Sequence, residues 1–227
     1  GGRYLFLTNN SSRGVEGYIE KMRRLGIETE RSDYLTSVDV TIAALQRERP
    51  EKKCYVFGTR SFYSQLRDAG IPVTARPDPD VDILLCGFDR ELTFQKLEDA
   101  CILLNRGAEF WATNPDWVCP TWYGSVPDCG SVCRMLTTAT GRTPRFLGKP
   151  QPDMAVLAMT RTGFAPEQTV LVGDGIYTDI ACGAAAGIDT VFVLSGEGTE
   201  ADIEKFGVQP TWVRRDIAAL LQELEDN

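Results

Sequence analysis

The 227-residue sequence contains no histidine and no pair of cysteines in C-x-x-C spacing. It therefore lacks the usual ligands of a zinc finger and the usual general base of a Ser-His or Cys-His catalytic site. Its seven cysteines are odd in number and scattered along the chain. Cys119, Cys129 and Cys133 could in principle surround a metal ion, but small buried thiols in a reducing compartment are the simpler interpretation.

The sequence also lacks long hydrophobic runs and an excess of positive charge. No apolar stretch approaches the roughly 18–20 residues of a membrane-spanning helix, and no signal-peptide pattern precedes the first apolar segment. The formal net charge of -8 argues against a broad binding surface for nucleic acid or for an anionic membrane. This net charge is still compatible with a local cationic pocket. We therefore expect a cytoplasmic protein with no nucleic-acid and no membrane partner.

Apolar runs typical of strands alternate with helical patterns almost to the C terminus. With 43% hydrophobic residues, the chain is long enough for one large domain or two modest ones. The alternation predicts βαβ units, and so an α/β protein with a mostly parallel sheet. The predicted strands are 4–7, 54–57, 82–86, 109–112, 169–172 and 190–193, and the predicted helices are 14–25, 38–48, 60–69, 93–106, 130–140, 152–163, 178–186 and 214–225, with a loop at 114–130.

Polar residues follow the first predicted strand at once. Parallel sheets bind ligands at the carboxyl ends of their strands, so Thr8, Asn9 and Asn10 are candidates for a ligand site. The Thr8 hydroxyl can donate to a phosphoryl oxygen, and main-chain N–H groups at the strand end can bind another. The alternative is a cluster of Ser, Thr and Asn that caps the next helix.

Charged residues occupy corresponding places in the C-terminal third. Asp174 directly follows the strand at 169–172, Asp179 opens the next helix, and Lys149 lies in a short Gly-Lys-Pro connection. A hydroxyl, a lysine and two carboxylates at one sheet edge would suit a phosphate and a hard divalent cation. For Asp179 the alternative is stabilisation of a helix N terminus by an acidic side chain.

Three segments resemble motifs of one family. "FLTNNSS", "GKPQPDM" and "VLVGDGIYTDIACGAAAGIDTVFVLSG" look like the second, third and fourth motifs of the haloacid-dehalogenase (HAD) superfamily of phosphohydrolases. The resemblance is strongest to its class IIA, NagD-type (p-nitrophenylphosphatase-like) branch. It implies a Rossmann-like core interrupted by an α/β C2-type cap. The cap is expected at 51–143 and the core at 1–50 and 144–227.

The resemblance also implies roles for individual residues. Thr8, Asn9, Lys149 and Asp179 would serve catalysis, with Lys149 giving positive charge to the phosphate and Asp179 orienting Lys149 or water. Asp174 would be the ligand of Mg²⁺. The family often has a longer polar residue where this chain has Gly175, so fine details of the site are expected to differ.

The cap-like segment "TNPDWVCPTWYGSVPDCGS" resembles the part of the cap that faces the core site. Its polar and aromatic residues are therefore expected to contact the leaving group of the substrate, together with Asn10. Packing of the aromatic residues inside the cap is an equally good interpretation. The candidates are Asn114, Asp116, Trp117, Trp122 and Tyr123.

The activity implied by the resemblance is Mg²⁺-dependent hydrolysis of small phosphomonoesters, such as sugar phosphates, nucleotides or phosphoglycolate. In the family the attacking aspartate belongs to a D-x-D motif roughly thirty residues before the Thr-Asn-Asn segment. Here only Gly1, Gly2 and the strand precede that segment. Asp89, with Glu91 two residues later, imitates the motif, but its position within the cap-like region favours a strand-to-helix junction.

Two interpretations follow for the D-x-D motif, which would precede the Thr-Asn-Asn segment. In the favoured one, the biological protein carries the motif upstream, and the 227-residue chain alone hydrolyses little or nothing. In the other, the chain is a non-catalytic protein that binds a phosphate ligand or acts as a scaffold on the same fold. A flavodoxin-like or receiver-type signalling module is an alternative of a different class. The expected partner is a small phosphorylated metabolite, and cap-mediated homodimers occur in related proteins.

Overall fold

The computed structural model describes residues 2–226, which form two compact α/β units. The first unit ends at residue 148 and the second begins at residue 149. Within residues 2–226, every helix falls short of the length and hydrophobicity that a bilayer crossing requires. The predicted α/β class is confirmed by the elements of both units.

The first unit contains a parallel five-stranded sheet in the order β4-β3-β5-β6-β9, a parallel pair β1-β2 and an antiparallel hairpin β7-β8. Its strands are β1 Phe6–Thr8, β2 Tyr34–Thr36, β3 Cys54–Phe57, β4 Val73–Thr74, β5 Ile83–Cys86, β6 Glu109–Ala112, β7 Val118–Thr121, β8 Gly124–Pro127 and β9 Arg145–Phe146. Its helices are α1 Glu16–Arg24, α2 Ser37–Glu48, α3 Arg60–Asp68, α4 Phe94–Asn105 and α5 Cys129–Thr140.

Local sequence explains where these helices begin and end. Thr59 and Thr93 cap α3 and α4, each accepting a main-chain N–H through its side chain. Thr36 and Asp39 form a reciprocal capping box at the start of α2. Helix α5 ends at Gly141, which has a φ of 71°, a left-handed conformation that glycine adopts without strain.

The five-stranded sheet aligns the strand ends that matter for the candidate site. Phe57 pairs with Cys86, and Cys86 pairs with Ala112, so β3, β5 and β6 end at the same edge. The strands and helices of this unit enclose an apolar core that includes Tyr55, Leu84 and Leu103. Burial of this core fixes the strand ends, and with them the loops that follow.

The second unit is a parallel three-stranded sheet in the order β10-β11-β12 with four helices. Ile176, Ile180 and Phe192 form its buried apolar cluster. Its strands are β10 Val170–Gly173, β11 Asp189–Val193 and β12 Trp212–Arg214, and its helices are α6 Asp153–Thr162, α7 Ala181–Ala185, α8 Ala201–Phe206 and α9 Ile217–Glu225.

Three predicted elements differ from the structure. The segment 114–130 is not a plain loop but contains the β7-β8 hairpin, whose prolines, Pro120 and Pro127, hide its strand character in the sequence. The predicted helix 178–186 begins with a π-helical turn, Ile176–Ile180, before α7. The predicted helix 214–225 begins only at Ile217, because the residues before it pair with β11 as a strand.

Candidate active site

The main chain of Asn9 is the meeting point of three segments of the first unit. Asn9 directly follows β1 and is buried. Its carbonyl oxygen accepts a hydrogen bond from Ser37 Oγ at 2.6 Å and another from Asn114 Nδ2 at 2.7 Å. Ser37 opens α2 and Asn114 lies two residues after β6. The structure therefore brings Asn114 to the strand end at Asn9, while its predicted contact with the leaving group of the substrate stays a prediction.

The side chain of Asn9 is bound to a second residue of the cap-like segment. Asn9 Nδ2 donates to Asp116 Oδ2 at 3.0 Å and to Asp116 Oδ1 at 3.3 Å. Asp116 in turn donates its main-chain N–H to Asn114 Oδ1 at 3.1 Å. Asn9, Asn114 and Asp116 thus form one polar group, although Asn9 and Asp116 are 107 positions apart.

The residues around Asn10 shape their own loop and do not cap a helix. Thr8 Oγ1 accepts the main-chain N–H of Asn10 at 3.2 Å. Asn10 Oδ1 accepts the N–H of Ser12 at 2.9 Å and its hydroxyl at 2.7 Å. The N-cap of α1 is Val15, which makes no side-chain capping bond. The alternative interpretation as a helix cap is therefore wrong, and an Asx-type turn is the better description.

Tyr18 is a neighbour of the site that the sequence did not indicate. Burial raises the pKa of its hydroxyl, and a side-chain hydrogen bond with Thr8 opposes that rise. The Arg13 guanidinium carbon lies 5.8 Å from the centre of the Tyr18 ring. Tyr18 lies within the predicted helix 14–25, and the sequence gave no sign of its contact with Thr8.

Asp128 is a second residue that the sequence did not indicate. It is the N-cap of α5 and is buried. Burial raises the pKa of its carboxyl to about 7, a main-chain hydrogen bond from Cys129 opposes the rise, and the negative charge of Asp116 adds to it. The only signal in the sequence was an Asp directly before a helix.

The aromatic candidates of the cap-like segment lie on the β7-β8 hairpin and beside it. Trp122 is 95% exposed and its ring contacts that of Tyr123 edge-on, at 5.1 Å between centroids. Trp117 and Tyr123 are exposed as well. The structure therefore does not bring Trp122 to the group formed by Asn9 and Asp116, and its predicted contact with substrate stays a prediction.

In the second unit, Lys149 and Asp179 form a close ion pair. Lys149 Nζ lies 2.6 Å from Asp179 Oδ1, and the two side chains are only 10% and 13% exposed. The other carboxylate oxygen of Asp179 accepts the main-chain N–H of Gly175 at 3.1 Å. Asp179 therefore contacts the lysine and also binds a main-chain donor just before the helical turn, and its catalytic role stays a prediction.

Glycines next to these carboxylates leave no room for a side chain. A Cβ at Gly173 would lie 2.3 Å from Asp179 Cβ, so Asp179 packs directly on the strand end. A Cβ at Gly175 would lie 2.2 Å from Thr178 Oγ1. The Thr178 hydroxyl thus fills the space next to position 175, so a longer residue there would require Thr178 to move.

Asp174 follows β10 directly and is held by the 196–198 loop. Its Oδ2 accepts the N–H of Glu197 at 3.0 Å, and its carbonyl oxygen accepts the N–H of Gly198 at 3.1 Å. A Cβ at Gly196 would lie 1.8 Å from Asp174 Oδ2, so this approach requires glycine. Within residues 2–226, Asp174 Oδ1 has no hydrogen-bond partner. A half-buried, anchored carboxylate with one oxygen available fits the preference of Mg²⁺ for oxygen ligands.

Asp89, the residue that imitates a nucleophile motif, is part of a buried ion pair. Its Oδ2 lies 2.7 Å from Lys96 Nζ, and its Oδ1 accepts the N–H of Glu91 at 2.8 Å. The residue lies between β5 and α4, at the strand-to-helix junction that the sequence favoured. Its carboxylate therefore binds groups at and just before the start of α4.

Comparisons with known proteins agree with the motifs. The HAD-hydrolase-like family model matches residues 146–220, and the haloacid dehalogenase-like hydrolase model matches residues 1–72. An acid sugar phosphatase of Staphylococcus aureus is 32% identical over 222 residues, which are 98% of this chain and 85% of that protein.

Solved structures give the same result for the fold. The 4-nitrophenylphosphatase of Thermotoga maritima superposes with a TM-score of 0.90 at 33% identity, covering 97% of this chain and 84% of that one. A protein described as a putative nagD protein gives 0.88 at 32% identity, covering 98% of this chain and 85% of that one. With its motifs, its α/β fold and these relatives, the chain belongs to the haloacid dehalogenase-like hydrolases, in their class IIA, NagD-type branch.

Proposed function

We propose that this protein is a Mg²⁺-dependent phosphatase of small phosphomonoesters. Its family membership and the phosphatase names of its relatives support the reaction class. The acid sugar phosphatase among them makes sugar phosphates the first substrates to test, ahead of nucleotides and phosphoglycolate. A cytoplasmic location and a homodimer remain predictions from the sequence.

The observation that carries the proposal is the fixed position of the Lys149 ammonium group. A buried lysine held 2.6 Å from a carboxylate has its ammonium group in a fixed position. Such a charge attracts a phosphoryl oxygen and costs no reorganisation when negative charge develops there during transfer. Asp179 keeps the ammonium group in place, so its role is positioning.

The Thr8–Asn10 strand end supplies hydrogen-bond donors. Thr8 Oγ1 accepts the N–H of Asn10, and its hydroxyl also hydrogen-bonds with Tyr18, so a phosphoryl oxygen would take the place of Tyr18 as the acceptor of the Thr8 O–H. Asn9 is fixed through both its carbonyl oxygen and its amide by Asn114 and Asp116. These two residues of the cap-like segment would therefore act by holding the strand end, and a direct contact with the leaving group is a further part of the proposal.

Asp174 would hold the metal ion, with Oδ1 as the available ligand oxygen. When bound, Mg²⁺ would neutralise part of the negative charge on the phosphoryl group. The contribution of this chain is to keep the Asp174 carboxylate at the end of β10 through the N–H groups of Glu197 and Gly198.

The family resemblance assigns the attacking carboxylate to a D-x-D motif upstream of Thr8. We therefore propose that hydrolysis requires a carboxylate supplied by such a motif. The alternative is a protein that binds a phosphorylated ligand without hydrolysing it in any form.

The test is a phosphomonoester panel, assayed with and without Mg²⁺, on the 227-residue chain and on a form extended by a D-x-D segment before Thr8. We expect metal-dependent hydrolysis by the extended form, and its loss in Asp174→Asn. Asp189→Asn is the matched control, because Asp189 opens the neighbouring strand β11 at its other end and is exposed. Phosphate binding without turnover in both forms would refute the enzyme and support the non-catalytic alternative.

A further inference from the structure

Three cysteines of the first unit meet inside its core. Cys86 is the last residue of β5, and Cys129 and Cys133 lie on the first two turns of α5. Cys129 Sγ is 3.9 Å from Cys86 Sγ and 3.9 Å from Cys133 Sγ, and all three sulfurs lie within 4.8 Å of one another. All three residues are buried. This trio differs from the sequence-based candidate, because Cys86 takes the place of Cys119.

The arrangement follows from the fold. Residues four apart on a helix share a face, so Cys129 and Cys133 both point toward the partner that α5 covers. That partner is the carboxyl end of β5, where Cys86 ends the strand. Leu84, Ala112 and Val132 belong to the same buried apolar cluster as the three cysteines.

The distances match those of a metal–thiolate site. A point equidistant from three sulfurs at these separations lies roughly 2.3–2.5 Å from each sulfur. A zinc–thiolate bond is about 2.3 Å long, so a metal ion would fit at that point. Thiolates select soft ions, among them Cu(I) and Zn²⁺. We propose that Cys86, Cys129 and Cys133 bind one soft, thiophilic metal ion, with Cu(I) favoured because three sulfurs complete its coordination while zinc would need a fourth ligand.

Binding is an exchange of protons for metal. Each S–H bond that breaks releases a proton to solvent, a metal–sulfur bond forms in its place, and no atom changes oxidation state. The negative charge of the thiolates lies at the first turn of α5, a 12-residue helix whose N-terminal N–H groups favour an anion. That interaction offsets part of the cost of placing charge in an apolar core.

The cluster lies next to the Asn9 region. Thr113 Oγ1 is 3.9 Å from Cys129 Sγ and 3.0 Å from Ser11 Oγ, and Ser11 Oγ accepts the N–H of Phe88 at 2.9 Å. An ion held by the sulfurs would therefore tie β5 and α5 together directly beneath the loop that follows β1. Metal loading should raise the thermal stability of the protein through this cross-link.

The experiment is native mass spectrometry of the full chain, refolded without oxygen in the presence of Cu(I) or of Zn²⁺. We expect one ion per chain, with Cu(I) more tightly held, and at least a tenfold weaker affinity in Cys86→Ser and in Cys133→Ser. Cys119→Ser is the matched control and should bind like the unchanged protein. Since a serine in the core can disturb folding, Cys86→Ala and Cys133→Ala repeat the measurement, with circular dichroism as the check on folding.

A second measurement reports the ligand atoms themselves. Cd²⁺ titration should give a thiolate-to-metal charge-transfer band in the unchanged protein and in Cys119→Ser, and a reduced band in each variant of the trio. The proposal is overturned if the unchanged protein holds no ion more tightly than the triple alanine variant. It is equally overturned if Cys119→Ser abolishes binding while Cys86→Ser retains it.

Discussion

Lys149 Nζ lies 2.6 Å from Asp179 Oδ1 in a largely buried ion pair. Removing one partner of such a pair leaves a buried charge uncompensated, which costs about 3–5 kcal/mol. We expect Lys149→Met to lower the free energy of unfolding by an amount in that range. The double variant Lys149→Met/Asp179→Leu should lose less than the sum of the two single changes. Urea unfolding of the four proteins gives this double-mutant cycle.

The control for that cycle is an exposed pair in the same unit. Lys205 Nζ lies 3.8 Å from Asp202, and its side chain is 68% exposed. Lys205→Ala should leave stability nearly unchanged because solvent screens such a pair. Strict additivity of the two changes at Lys149 and Asp179 would contradict a coupled buried pair.

The bond between Asn9 and Asp116 should support phosphate binding. Hydrogen bonds to a charged group contribute about 1.5–3 kcal/mol, so Asp116→Ala should weaken the fixation of Asn9 by a comparable amount. We expect inorganic phosphate to bind about tenfold more weakly, measured by calorimetry. Asp80→Ala is the control, since Asp80 is exposed and pairs with Lys53. Equal phosphate affinity in the two variants would show that Asp116 does not position the strand end.

Asp39 should make stability depend on pH. Burial alone would raise the pKa of its carboxyl, but hydrogen bonds from Thr36 and the charge of Arg31 lower it overall. A carboxyl whose folded pKa is lowered adds stability above its unfolded pKa of about 4, and this stability is lost as the pH falls through the folded value.

Asp39→Asn is the variant that tests this dependence. At pH 7 it should be about 1 kcal/mol less stable than the unchanged protein, because asparagine keeps an acceptor for the Thr36 N–H but loses the charge that pairs with Arg31. The difference should shrink as the pH is lowered from 5 to 3, measured by urea unfolding at each pH. A difference that stays constant over this range would mean that the charge of Asp39 contributes nothing.

Gly130 and Gly17 should respond oppositely to alanine. A Cβ at Gly130 in α5 would lie 2.1 Å from Pro115 O and 2.8 Å from Asp116 O, which are backbone atoms. A Cβ at Gly17 in α1 would meet only Arg13 Cδ, at 3.4 Å. Alanine favours a helix over glycine by about 1 kcal/mol. Gly17→Ala should therefore raise the melting temperature, while Gly130→Ala should lower it because α5 must shift. A rise in both would show that α5 has room to move.

Local patterns were enough to predict the strand ends and the residues that follow them. Thr8 and Asp174 each come directly after an apolar run, and parallel sheets place such residues at a ligand-binding edge. The pairing of Asn9 with Asp116 could not be read in this way, because it depends on how distant segments pack. Cys86 was missed for the same reason, since 43 positions separate it from Cys129.

The hydrogen bonds to the Asn9 carbonyl oxygen have a consequence for the order of folding. Their donors, Ser37 and Asn114, are 28 and 105 positions away in the chain. Closing such long loops costs chain entropy before any contact is gained, so non-local contacts slow folding. The main-chain hydrogen bonds of α1 and α2 are local, but the hydrogen bond from Asn114 to the strand end at Asn9 forms only once β6 has joined its sheet. We therefore expect the strand end proposed to bind the ligand to be completed late in folding.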